Sequence, residues 1–299
     1  MPRILSISLL VLAAALAVLW FSGGFERIAV YAASEQRAFQ NTIARTLRAL
    51  RGGEPGALAL LMSACFAYGF FHAVGPGHGK LLVGGYGLGR AVPMVRLSAI
   101  ALISSLGQAV TAIILAYAGL WLLGATREAM IGTSEQIMAP ASYAAIALIG
   151  GWLALRGMRR LIRARKTSGH DHHGESDTCE SCGHRHGPSL EETQAAGTLR
   201  EAVILIAGIA IRPCTGALFV LIITWQMGIA AAGIAGVFAM ALGTGAVTVA
   251  VGLAASGFRG GILRGLAGAP ALNWVIPVIE VVAGAGVLAL SLGLLVRSI

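Results

Sequence analysis

Two histidines, His72 and His78, lie in an otherwise apolar run, within FHAVGPGHGK at residues 71–80. Neutral imidazole is a ligand suited to Ni²⁺, Co²⁺, Cu²⁺ and Zn²⁺, and it exchanges protons near neutral pH. Six residues of unbroken α-helix turn through about 600°, which leaves the two rings about 120° apart. A regular helix would not let both grip one ion. Gly75, Pro76 and Gly77 stand between them. Proline removes a backbone donor and clashes with the preceding turn, and glycine permits the bend. A helix broken there can bring both imidazoles together and turn freed carbonyls toward an ion. Irregular backbone at membrane depth is tolerated where it is buried in protein or lines a wet cavity. The bland alternative is two histidines hydrogen-bonded between helices. Lys80 follows directly, as either a snorkelling anchor or a gating group.

A second constellation is HDHHGESDTCESCGHRHG, residues 170–187. It holds His170, His172, His173, His184 and His186, five of the chain's seven histidines, with Cys179 and Cys182 in a CxxC spacing. Thiolates and imidazoles together favour Zn²⁺, Ni²⁺, Co²⁺ or Cu. No second CxxC completes a zinc ribbon, and the low apolar content favours disorder without metal. The expectation is a flexible metal collector or sensor rather than a solvated linker with incidental histidines.

Three further groups sit in apolar surroundings. Glu280 lies within a run of spanning length, one turn after Pro277. A carboxylate there serves either as a proton relay or as a partner for a polar group on another helix. Arg212, Pro213, Cys214 and Thr215 open the segment RPCTGALFVL, and Cys65 lies seven positions before His72. An isolated membrane cysteine is usually a small apolar filler. Ser104, Ser105, Gln108, Thr244 and Thr248 offer oxygens either to an ion or as interhelical glue.

The elements that must position these groups are helices in lipid. The 299-residue chain is 57% hydrophobic and 12% charged, with mean hydropathy +0.79. One soluble core cannot hide so much apolar surface, so the chain reads as an all-α polytopic membrane protein. Spanning runs lie near 4–24, 58–84, 96–123, 139–157, 200–225, 229–256 and 271–296. That gives about seven transmembrane helices, or six if the first is a cleaved signal peptide. A retained helix is favoured, because its apolar core exceeds the usual signal length. The net charge of +9 lies largely in short loops and sets topology. No nucleic-acid module is visible.

The segment RGMRRLIRARK, 156–166, places the following loop in the cytoplasm. Lys80, Arg90, Arg96, Arg259 and Arg264 agree, with the N-terminus inside. The expected organisation is an N-terminal helix or anchor (1–24), an extracytoplasmic amphipathic connector (25–55), a first three-helix repeat (56–157), a cytoplasmic His/Cys-rich loop (158–199) and a second repeat (200–299). PGHGKLLV at 76–83 aligns with PCTGALFV at 213–220, 137 positions on. LGQAVTA (106–112) matches LGTGAVTVA (242–250) loosely, and Pro140 and Pro277 stand 137 apart. Three helices per half would make the second half inverted, a recurring plan of secondary transporters with the site at the repeat interface.

His72-x5-His78 in a broken early helix, followed by Gly79-Lys80, resembles the signature of the nickel/cobalt transporter family. It is most similar to the efflux branch with its His-x5-His-x-Lys pattern, and RPCTGALFVL resembles that branch's second motif. The uptake branch carries an Asp directly before the second His, where this chain has Gly77. The resemblance implies proton-coupled transport of Ni²⁺ or Co²⁺ out across the cytoplasmic membrane, with His72 and His78 as ligands and no prosthetic group. Two other readings stay open. One is uptake of the same ions. The other is a thiol–disulfide electron conduit using Cys65 and Cys214, since RPCTGAL also resembles the proline-cysteine motif of such conduits. The sequence leaves the oligomeric state undetermined.

Overall fold

The computed structural model describes residues 22–74, 78–90, 92–122, 124, 126–167, 199–265 and 272–298. The first apolar run, Gly75-Pro76-Gly77 and the His/Cys-rich loop lie outside them. All regular structure among the described residues is helical: α1 (Gly24–Arg51), α2 (Ala57–Val74), α3 (His78–Gly89), α4 (Met94–Leu122), α5 (Arg127–Thr133), α6 (Ala139–Thr167), α7 (Leu199–Ala210), α8 (Thr215–Gln226), α9 (Ala230–Gly265) and α10 (Leu272–Ser298).

Five helical stretches are long and apolar enough to cross a bilayer: Ala57–Val74, Met94–Trp121, Glu128–Arg163, Ala230–Arg264 and Trp274–Ser298. A sixth forms if α7 and α8, bent by 59° across a short break, count as one span. Leu148, Leu155, Trp121, Val282 and Val296 stay exposed on them. Lipid replaces water as solvent for such side chains, so the chain is a multi-pass membrane protein.

Local chemistry sets the ends of these helices. α1 stops at Gly53, whose φ of 76° is left-handed. There the Glu54 amide reaches back to the Ala49 carbonyl and the Gly53 amide to that of Leu50, so glycine closes the helix without a Cβ penalty. Thr126 caps α5 by accepting the Ala129 amide at 3.2 Å. A wider π-helical turn, Ser134–Met138, joins α5 to α6 just before Pro140. Proline lacks the N–H that the preceding turn would need.

The connector expected at 25–55 is α1. It folds back along α2 through the Gly52–Gly56 turn, with Tyr31 and Phe39 against Phe71. Ile43 and Leu47 are buried in the same cluster as Leu61. Arg37, Arg45, Arg48 and Arg51 line its exposed side.

Buried residues form two apolar clusters. One gathers Ile43, Leu61, Tyr68, Leu218, Leu221 and Val237. The other gathers Leu82, Tyr86, Leu97, Ile100, Leu205 and Ile209. α2 packs on α9, α4 on α7, and α6 on α10. Small residues set the spacing. A Cβ on Gly69 would lie 2.8 Å from the Met240 carbonyl carbon, and one on Gly243 would lie 2.9 Å from the Phe70 amide. Between α6 and α10 a Cβ on Gly284 would meet the Gly150 oxygen at 2.8 Å.

In chain order α2 and α3 are followed by the long helix α4, and α7 and α8 by the long helix α9. α3 begins at His78 and α8 at Thr215, 137 positions later.

Candidate functional site

His72 occupies the last turn of α2. Tyr68, four residues earlier, is on the same face, and the two rings stack nearly parallel, 6.1 Å between centroids and 5° between planes. Tyr68 is buried. Its hydroxyl accepts a 3.0 Å hydrogen bond from Gln36 Nε2 on α1 and also meets the thiol of Cys214. Cys214 in turn lies near His72. Gln36 of α1, His72 of α2 and the break between α7 and α8 therefore meet around Tyr68.

That break is built by its residues. Pro213 cannot continue α7, and Arg212 before it is biased away from helical backbone. The last carbonyls of a helix have no partner within it. Here the Gly208 oxygen accepts from Ser142 Oγ at 2.6 Å and the Ile209 oxygen from Gln108 Nε2 at 3.2 Å. α6 and α4 thus satisfy the broken end. Arg212 donates to the Tyr143 hydroxyl and lies 5.1 Å from the centre of that ring, which anchors it to α6. Cys214 is extended, with φ −74° and ψ 128°, and Thr215 begins α8. The Ala217 and Leu218 amides donate to the Cys214 carbonyl at 3.0 and 3.2 Å. Only glycine fits at 216, because a Cβ there would sit 2.5 Å from the Tyr68 ring.

Beside Cys214 is a cavity of about 20 Å³ lined by Tyr68, Gln108, Cys214, Ala217, Met240 and Thr244, among others. It has room for one water-sized occupant. Thr244 Oγ1 closes one wall by donating to the Gly69 carbonyl at 3.1 Å. The Ser105 hydroxyl returns to its own helix, at the Ala101 carbonyl.

The residues singled out in the sequence are distributed as follows. His72 and Cys214 come together. His78 opens α3, with its side chain outside the described residues, as is that of Lys80. Among the described residues no three His, Cys, Asp or Glu side chains converge as a metal cluster. His170, His172, His173, Cys179, Cys182, His184 and His186 lie outside them. Cys65 is buried in the apolar cluster, where a Cβ on Gly236 would touch its sulfur at 3.1 Å. It does not line the cavity. Glu280 does not line it either. It is 2% exposed and pairs with Arg160 of α6 at 2.7 Å. Arg90 and Arg259 add positive charge nearby. A second pair, Arg90 with Glu201 at 2.8 Å, ties the end of α3 to α7 and includes the Tyr86 hydroxyl.

Sequence reasoning did not single out Tyr68 and Gln36. Tyr68 carried a faint signal, an aromatic one turn before a histidine. Gln36 carried none, because its role depends on how α1 folds back.

This fold defines a multi-pass membrane protein in which the end of α2 lies near the break between α7 and α8. A family model described as "High-affinity nickel-transport protein" matches residues 58–175. The chain is 30% identical over 252 residues to a Haemophilus influenzae protein named "Putative nickel/cobalt efflux system", covering 79% of this chain and 76% of the relative. No solved structure matches. The chain belongs to the nickel/cobalt transporter family.

Proposed function

We propose that the chain is a secondary transporter that exports Ni²⁺ or Co²⁺ from the cytoplasm across the inner membrane, with protons moving the other way. The observation that carries this reading is the nearness of His72 to Cys214 in the α7–α8 break, where Cys214 and Tyr68 line a small cavity. Family membership supplies the substrate class, and the printed name of the Haemophilus influenzae relative supports the outward direction. Gly77, where uptake proteins of the family carry Asp, favours the same direction.

In this reading two inverted three-helix repeats, 56–157 and 200–299, form the transport unit. The succession of broken and long helices supports it, as does the exchange of partners, α2 with α9 and α4 with α7. The loop at 170–187 gathers metal at the cytoplasmic mouth. His72 and His78, with backbone from Gly75, Pro76 and Gly77, bind the ion. Arg212, Pro213, Cys214 and Thr215 form the opposing wall. Rocking of the halves moves the opening from one side to the other, and protons return through the histidines or Glu280.

The test is paired. Loss of an exporter makes cells more sensitive to nickel, and loss of an importer makes them more resistant. Greater resistance on deletion contradicts export. In proteoliposomes an imposed pH gradient should change the rate of Ni²⁺ flux through the wild type. A rate indifferent to the gradient contradicts proton coupling.

A further inference from the structure

We propose that the outward face of α6, at its basic end, is a docking surface for anionic phospholipid headgroups, held by Arg156, Arg159 and Arg163. The proposal is independent of the cargo and of the direction of transport.

Helix length sets the level of these arginines in the bilayer. The stretch Glu128–Arg163 has 36 residues. At 1.5 Å per residue that is about 54 Å of helix, against a hydrocarbon core of about 30 Å. Both of its ends therefore reach the headgroups. Trp152 is exposed near the basic end, and tryptophan is enriched where tails meet headgroups. Its ring lies 5.6 Å from the Arg90 guanidinium and 5.5 Å from that of Arg156.

Helical periodicity then gathers the charges on one side. At 100° per residue, Trp152, Arg156, Arg159 and Arg163 fall within an arc of about 60°. The exposed side chains of Leu148, Leu155 and Ile162 border that arc, and Arg159 and Arg163 are exposed beside them. One face of α6 thus turns from apolar to cationic in the order in which lipid tails give way to phosphates. Arginine stems lie along the tails while the charge stays at the interface. α6 contains no acidic residue, and among the described residues neither Arg156 nor Arg159 forms an ion pair. The planar guanidinium fork matches a phosphate, and basic clusters just beyond a membrane span attract anionic lipid.

Arg160 supplies a contrast from within the same run. It turns into the bundle and meets Glu280 at 2.7 Å. Gly157 makes room for this, since a Cβ there would lie 2.9 Å from that of Glu280. One arginine of the run serves the fold, and Arg156, Arg159 and Arg163 are set on its outward side. Topology depends on how many basic residues a loop carries. It does not require them to share one lipid-facing arc.

The test uses the full chain purified in a neutral detergent. Phosphatidylglycerol and phosphatidylcholine are added in turn, and retained lipid is counted by native mass spectrometry. Each arginine at an anionic surface contributes about fivefold in affinity. The wild type should hold phosphatidylglycerol well ahead of phosphatidylcholine. Arg159→Gln should weaken phosphatidylglycerol about fivefold, and Arg156→Gln/Arg159→Gln/Arg163→Gln about a hundredfold, with phosphatidylcholine unchanged. Arg37→Gln/Arg45→Gln/Arg48→Gln removes the same charge from the exposed side of α1 and should leave the preference as it was. Size exclusion separates lost binding from lost fold, and the single variant keeps a readout where the triple variant does not fold. A wild type without the preference, an α6 triple variant that keeps it, or an α1 variant that loses it equally overturns the assignment. So does a wild type that takes up phosphatidylglycerol only once residues 170–192, with six acidic side chains, are deleted, since the chain's own loop would then occupy the face.

Discussion

His72, in the last turn of α2, and Cys214, in the break before α8, are 142 positions apart in sequence and close together in the fold. One stands at the end of α2 and the other in the break between α7 and α8, where Pro213 cannot continue the helix.

The first prediction concerns Gly216. A Cβ at this position would lie 2.5 Å from the Tyr68 ring, and that ring stacks on His72. Gly216→Ala should destabilise the protein by about 1–3 kcal/mol, as overpacking typically does, and should lower metal flux. Trimming the ring with Tyr68→Ala should restore part of the stability lost in Gly216→Ala. Thermal unfolding in detergent of both single variants and the double variant reads this coupling. Purely additive losses would contradict it.

The α2–α9 contact gives a second. Gly69 and Gly243 let two helix backbones touch. Gly69→Val or Gly243→Val should force α2 and α9 apart and abolish recovery of folded protein from membranes. Gly286 and Gly293 have open space where a Cβ would go, so Ala at either should be tolerated. Size-exclusion profiles after detergent extraction compare the four variants directly.

Glu280 and Arg160 give a third. Among the described residues Glu280 Oε2 has no hydrogen-bond partner, and Oε1 takes its 2.7 Å bond from Arg160. Arg160→Ala removes the partner and leaves a buried carboxylate, at a cost of about 3–5 kcal/mol. Replacing both, with Arg160→Met and Glu280→Gln, should cost markedly less. If Glu280 also relays protons, Glu280→Gln alone should leave metal binding intact and remove the dependence of flux on the pH gradient.

The loop at 170–187 gives a fourth. Deleting it should raise the metal concentration needed for half-maximal flux without stopping transport. Complete loss of flux from a well-folded deletion would put the loop in the path itself.

Much of this was legible in the sequence. Apolar runs of spanning length marked the helices, and Pro213 marked the break between α7 and α8. What could not be read was contact at long range. The Gln36–Tyr68 bond depends on α1 turning back at Gly53, a fold-level event with no local periodicity. Arg160 lies in a basic run whose summed charge reads as a topology signal. Only packing of α6 on α10 turns that single arginine inward to Glu280. The pairing of His72 with Cys214, rather than with another histidine alone, likewise emerges only when four helices are assembled.

The most direct measurement is Ni²⁺ flux in proteoliposomes holding the wild type or the His72→Ala/His78→Ala double variant, each with and without a pH gradient. We expect gradient-dependent Ni²⁺ flux from the wild type and flux at the level of empty vesicles from the double variant. Undiminished flux from a well-folded double variant would contradict the site.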